Sequence, residues 1–197
     1  MARTQAADYE QRREAIVEKA AQLFARAGFR GTSVQDLATA CATSKSLFYH
    51  YYPSKEDVLY AVMASHIDQL VLDVEEVMAG GGEPAELLSK MIHAFMRHYV
   101  GAADRQNVLL NELGNLPEDR RRIIVEKQRG VVDAVQSLLV RIHPSLAADP
   151  VRARVQTMLL FGMINWTKTW FRPEGPIDAE ELADIVVANA LRAEASP

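Results

Sequence analysis

Cysteine is nearly missing from this chain: Cys41 is the only one in 197 residues. A single thiol excludes an intramolecular disulfide and a multi-cysteine zinc site, and it fits a reducing compartment. Its position among apolar residues suggests core packing, a redox sensor being the sharper alternative. Long apolar runs are lacking as well. No stretch reaches the ~18 residues needed to span a membrane, and the polar N-terminus has no signal-peptide core, so a cytoplasmic location is expected. Hairpin signatures and internal repeats are absent, and every strong periodic signal is helical. The catalytic inventory is equally thin. His93 and His98 stand five apart, roughly 140° around a helix, so they do not make a shared metal face. Ser, His and Asp occur without a nucleophile elbow. The chain is therefore expected not to be an enzyme, and to need no metal or cofactor.

What is present is a large apolar inventory, 49% of residues, and an uneven distribution of charge. The net charge is −4, yet residues 1–55 carry eight Lys or Arg against five Asp or Glu, a net of +3, which leaves −7 for the remainder. A basic head on an acidic body can approach a polyanion head first.

The basic head contains the most informative stretch, Ser33 to Leu59, which reads as two short helices, a tight turn and the start of a longer helix. Ser33 with Asp36, and Ser54 with Asp57, have the spacing of capping boxes. Val34, Leu37 and Ala38 give the first helix a short apolar face that ends near Cys41 and Ala42. Thr43 or Ser44 can cap the next helix, with Leu47 or Phe48 pointing inward. Lys45, Ser46, Tyr49 and His50 gather on another face. That face mixes a cation, a hydroxyl and two amphipathic rings, which suits base edges and phosphate oxygens rather than a core. Pro53 stops the helix.

These residues resemble the DNA-binding segment of the tetracycline-repressor (TetR) family, in the run Ser44-Lys45-Ser46-Leu47-Phe48-Tyr49-His50-Tyr51-Tyr52-Pro53-Ser54-Lys55-Glu56. The likeness continues upstream through Ala21-Gln22-Leu23-Phe24, Gly28-Phe29, Gly31-Thr32-Ser33 and Leu37-Ala38, so it covers about residues 10–60. Ser46, Leu47 and Tyr52 depart from the glycine, threonine and phenylalanine frequent there. The resemblance implies an all-α, nine-helix architecture. A helix-turn-helix domain would occupy residues 1–53, and a ligand-binding and dimerisation domain residues 54–197. It also implies DNA contacts: Lys45, Ser46, Leu47 and His50 near base edges, Ser33, Tyr49, Tyr51 and Lys55 on phosphates, and Ser44 in the turn.

Helix one is expected over about Asp8 to Ala27, burying Ile16, Ala20, Leu23 and Phe24, with Gly28 at the left-handed position that closes it. Helix four is expected over about Ser54 to Ala79, and a short helix between Ala102 and Gly114. Pro84 and Pro117 suit first-turn positions, Asp149-Pro150 a cap and first residue, and Asp178 with Glu181 another capping box.

Helix eight, roughly Pro150 to Phe171, lines up Val151, Val155, Met158, Leu159, Gly162, Met163 and Trp166. Helix nine adds Leu182, Ile185, Val186 and Ala190. Both stripes are either intrachain core or a dimer surface. In the resembled family these two helices pair with their symmetry mates, which would make a homodimer. Such a dimer sets two recognition helices about one DNA turn (~34–36 Å) or a multiple apart, so a roughly palindromic operator is expected.

The run Phe161 to Pro173 places Trp166 and Trp170 at helical spacing, either as core filler or as pocket wall. With Glu174-Gly175-Pro176, Val108 to Leu113 and Leu116 to Arg122, it resembles TetR regulators that sense acyl-coenzyme A thioesters in phenylacetate, fatty-acid and sterol-ring degradation. That likeness implies an apolar wall of Phe95, Tyr99, Leu110, Phe161, Met163 and Trp166, with Trp170 beside it. Asn111 and Asn165 would bind the polar arm, and Arg97, Arg105, Arg120, Arg121, Arg122, Lys127 and Lys168 are candidates for the phosphates. The alternative for the Arg120 cluster is a solvated face paired with Glu118, Asp119 and Glu126. The resemblance implies a repressor released by its ligand, with helix four as the lever. A multidrug-responsive repressor of an efflux pump is the alternative, and would need no phosphate site.

Overall fold

The computed structural model describes residues 2–192, with side chains from residue 8 onward. Among these residues the chain forms nine α-helices and no strand: α1 (Ala2–Gly31), α2 (Val34–Ala40), α3 (Lys45–Tyr51), α4 (Lys55–Ala79), α5 (Pro84–Gly101), α6 (Ala103–Asn111), α7 (Glu118–Ile142), α8 (Pro150–Trp166) and α9 (Ala179–Arg192). None is long and apolar enough to cross a membrane.

The chain divides into two compact units. The first joins Met1–Ile67 to Asp104–Val125, and the second joins Asp68–Ala103 to Glu126–Pro197. These units cut the sequence differently from a boundary at residue 53, because α6 and the first turns of α7 fold with the head. Arg105 of α6 shows why: its guanidinium donates to Glu14 at 2.5 Å, to Glu18 at 2.9 Å and to Ser65 Oγ at 3.2 Å. Gln106 meets His66 at 2.6 Å in the same buried seam.

Helix boundaries follow local chemistry. Helical geometry in α1 is broken at Gly28, whose φ of 75° is open to glycine and costly for other residues. A Cβ there would also come within 3.4 Å of Glu112 Oε1. Thr32 Oγ1 donates a hydrogen bond to the Gly28 carbonyl at 2.9 Å and secures the bend. Ser33 and Asp36 form the reciprocal capping box, with Asp36 N–H on Ser33 Oγ at 3.1 Å and Ser33 N–H on Asp36 Oδ2 at 2.8 Å. Asp149 caps α8 through Arg152 N–H at 2.9 Å, with Pro150 as its first residue. Asp178 accepts from Glu181 N–H at 2.8 Å. Pro84 opens α5, whereas Pro117 lies one position earlier than expected, its carbonyl accepting the Arg121 N–H that opens α7.

The head's core is Ile16, Ala20, Phe24, Leu37, Phe48 and Leu59, all buried, while Leu23 is half-buried. In the second unit α5 lies against α9, and Met91, Phe95, Leu138 and Val186 are among the buried side chains. One boundary departs from expectation. Regular helix ends at Trp166 rather than Phe171, and a 3₁₀ turn (Thr167–Thr169) takes over, where Thr167 and Thr169 hydroxyls donate to the carbonyls of Ile164 and Trp166. Hydroxyls that bond the preceding turn compete with continued helix.

Candidate functional site

Recognition begins with how α3 is held. Phe48 is fully buried and Leu47 is 40% exposed, which resolves which of the two points inward. Ser44 is the cap, its Oγ accepting from Leu47 N–H at 3.2 Å. With Phe48 anchored, Lys45, Ser46, Leu47, Tyr49 and His50 are all exposed on one short helix. That set offers cationic, hydroxyl, apolar, phenolic and imidazole groups to one surface.

The remaining expected DNA residues sit differently. Ser33 and Ser44 are exposed, but each hydroxyl is engaged in capping. Tyr51 is half-buried, with its ring 4.9 Å from that of Tyr9, and His50 meets the same Tyr9 ring edge-on at 5.9 Å. Lys55, expected on a phosphate, is engaged within the head. Its ammonium donates to the carbonyls of Phe29 and Thr32, both at 2.8 Å, and lies 4.0 Å from the Phe29 ring centre. Two of its three protons are thereby committed to the end of α1.

Tyr9 escaped the sequence reading. The available signal was spacing: Tyr9, Arg13, Ile16 and Ala20 recur at i, i+4, i+7 and i+11, one face of α1. Arg13 lies over the Tyr52 ring at 5.1 Å. Burial works against its charge, but Tyr52, Glu10 and Tyr9 outweigh it and hold its pKa up. Burial raises the pKa of the half-buried Cys41 thiol, and Lys19 pulls it the other way.

The expected ligand residues divide between the units. Arg105, Leu110, Asn111, Arg120, Arg121 and Arg122 belong to the first, the others to the second. Arg120 is paired with Asp57 and lies 5.3 Å over the Tyr60 ring, and its neighbour Arg121 is paired with Glu118. Burial would raise the Asp57 pKa, but Ser54 and Arg120 overcome that and hold it below the usual carboxylate range. Asn111 donates to the Asn107 carbonyl at 2.9 Å. Leu110 is exposed.

In the second unit, Phe95 stacks between Tyr99 at 6.4 Å and Phe161 at 6.2 Å, and all three rings are buried. Arg97 is exposed on α5 beside Lys90 and His93, in an open groove of about 490 Å³. His93 meets Asp184 at 3.2 Å and His98 meets Asp73 at 2.7 Å, so each imidazole has its own carboxylate. Asn165 is half-buried, and partial burial lowers the pKa of Lys168. Met163 and Trp166, expected on an apolar wall, are 42% and 65% exposed. They share α8 with Val151, Val155, Met158 and Leu159, each at least half exposed. Leu182, Val186 and Ala190 of α9 are buried, whereas Ile185 stays outside. Trp170 follows the 3₁₀ turn and pairs edge-on with Phe171 at 6.3 Å, so it does not continue the α8 spacing.

A small three-helix head that exposes a short polar helix, joined to a helical body with its own aromatic cluster, is the architecture of a DNA-binding regulator. Comparison with known proteins names the family. Residues 16–62 match bacterial regulatory proteins of the tetR family, and residues 81–193 match the tetracyclin repressor-like C-terminal domain. The chain belongs to the tetR family of transcriptional regulators.

It is 40% identical to a TetR-family transcriptional regulator from Bordetella parapertussis 12822, over 91% of this chain and 94% of that one, with a TM-score of 0.88. AibR, solved in complex with isovaleryl coenzyme A and operator DNA, is 28% identical over 90% of this chain and 97% of that one, with a TM-score of 0.79. The transcriptional repressor KstR2 of Mycolicibacterium smegmatis is 25% identical over 91% of this chain and 89% of that protein. Longer relatives are matched only in part: a Bacillus subtilis regulator, YuxN, aligns over 52% of this chain and 35% of its own length. The Bordetella protein, KstR2 and YuxN are transcriptional regulators.

Proposed function

We propose that this protein is a homodimeric repressor that binds a roughly palindromic operator and is released by a small-molecule effector, an acyl-CoA thioester. The observation that carries the DNA half is the exposed face of α3, anchored by Phe48. Lys45, Ser46, Leu47 and His50 read base edges. Ser33, Tyr49 and Tyr51 contact phosphates, with Ser44 in the turn. Functionally, residues 1–53 form the DNA-binding domain and 54–197 the effector and dimerisation domain.

The dimer is supported by the α8 stripe. Val151 is 74% exposed, Trp166 65% and Leu159 59%, more apolar surface than a monomer ordinarily leaves to water. Two copies joined through α8 and α9 in C2 symmetry would bury it.

The effector class is supported by the AibR complex, a relative whose ligand is isovaleryl coenzyme A. The stacked Phe95, Tyr99 and Phe161 supply the apolar environment that an acyl group needs. Arg97, Asn165 and Lys168 are the polar groups of the same unit suited to the remainder of the ligand. Release follows from linkage: a ligand that favours a dimer whose heads miss the operator spacing lowers DNA affinity by the same coupling factor, typically ~1–3 kcal/mol. The helices α4 and α7 each run through both units and are the levers.

Fluorescence anisotropy of the protein's own promoter fragment tests this, titrated with isovaleryl-CoA, phenylacetyl-CoA, a long-chain acyl-CoA and free CoA at fixed salt. Release by a thioester and not by free CoA is expected. Retention of DNA in the presence of all four would overturn the effector class, and failure to bind promoter DNA would overturn the repressor reading.

A further inference from the structure

We propose that the DNA-reading head carries a small-molecule site of its own, a groove between α1 and the α2–α3 turn that takes a small amphipathic carboxylate. The groove is open and has a volume of about 350 Å³, the lower end of the range of ligand pockets. Ala15 and Ile16 line it from α1, and Ala40 and Ala42 from the end of α2 and the turn. Together they offer an apolar trough wide enough for an alkyl chain.

Charge sets the other end of the occupant. Arg12 and Lys19 stand among the lining residues, with Glu18 as the acid. Glu18 is held by Arg105 at 2.9 Å, so its charge is answered within the head. Lys19 donates to the neutral Gln22 amide oxygen at 3.3 Å. The balance favours an anion, and the alanines favour a hydrocarbon attached to it. A bare phosphate oxygen would use the cations and leave the trough wet.

One feature of the turn supports a site rather than a surface dent. Ala42 holds a φ of 50° without being glycine, and such residues cluster where ligands are clamped. Thr43 also lines the groove, but its hydroxyl is closed off from solvent and is not offered to an occupant. The site lies apart from the body's aromatic cluster and does not depend on the effector assignment.

Cys41 lines the same groove, and as the only cysteine it reports occupancy. A chain over the thiol blocks attack sterically. A carboxylate on Lys19 also cancels the pull that this ammonium exerts toward thiolate, the reactive form.

The full chain, free of DNA, is reacted with a chromogenic disulfide reagent while octanoate or octanol is titrated in. Octanoate is expected to slow the Cys41 reaction saturably, and octanol to have little effect. Arg12→Gln and Lys19→Gln should each raise the half-protecting octanoate concentration several-fold, up to roughly tenfold for a lost charge-assisted contact. Ala15→Trp should abolish protection by filling the trough. Ala15, Arg12 and Lys19 are all exposed, so these variants keep the fold. Absence of protection, equal protection by octanol, or protection that survives Ala15→Trp would each overturn the site. A ligand acting only through the body would leave protection unchanged in all three variants.

Discussion

Replacing Lys55 separates a structural ammonium from a DNA-contacting one. Its Nζ makes two charged hydrogen bonds, to the carbonyls of Phe29 and Thr32, and lies over the Phe29 ring. Hydrogen bonds to charged groups contribute ~1.5–3 kcal/mol each when buried. Lys55 is half-buried and water can take over part of both bonds, so about 1 kcal/mol each is the appropriate scale. The cation–π contact adds ~0.5–1 kcal/mol. Lys55→Met keeps the stem and removes the ammonium, so the expected loss is about 2.5–3 kcal/mol. For a chain of this size that lowers Tm by about 5–12 °C in calorimetry. In parallel, log affinity for operator is measured against log salt. A phosphate contact would flatten the slope by nearly one counterion. Lys55→Met should leave the slope unchanged at temperatures where the variant is folded. An unaltered Tm together with a slope reduced by about one would refute the reasoning.

Three further outcomes are expected. Phe48→Ala empties the fully buried anchor of α3 and should cost ~3–5 kcal/mol, with operator binding lost before secondary structure; tight binding at a normal Tm would show that α3 is held by something else. Trp166→Glu places a charge in the exposed α8 stripe and should halve the mass seen by light scattering, whereas an unchanged mass would remove α8 from the interface. The Asp57 pKa lies below its unfolded value, so the stability it contributes is present above about pH 4 and is lost as pH falls through the folded value. Asp57→Asn should therefore flatten the acid limb of Tm against pH. A limb of the same slope as in the unaltered protein would show that other carboxylates govern it.

Much of the head was legible because its signals are local. Capping at Ser33 and Asp36, the stop at Pro53 and the bend at Gly28 act over a few residues, and each falls where side-chain chemistry puts it. The number of helices was readable for the same reason. What could not be read is what depends on distant partners. Lys55 reaches the end of α1, 23 and 26 residues back, and Arg105 reaches Glu14 and Glu18, 91 and 87 residues back. No periodicity encodes such pairings. A phosphate-ready cation and one committed to a carbonyl look alike in sequence. The end of α8 was missed because a run of large aromatic residues masks the threonines that stop it.

The discontinuous first unit has a practical consequence for anyone exchanging modules between such regulators. A chimera joined at residue 53 would separate Arg105 from Glu14 and Glu18, Asn107 from the Ala25 carbonyl, Asn115 from Arg30, and Lys55 from the carbonyls of Phe29 and Thr32. The transplantable cassette is residues 1–67 together with 104–125, two segments that must travel as a pair. Operator preference and the residues of α6 are then expected to be inherited together, and a graft of α3 side chains alone leaves that bond intact.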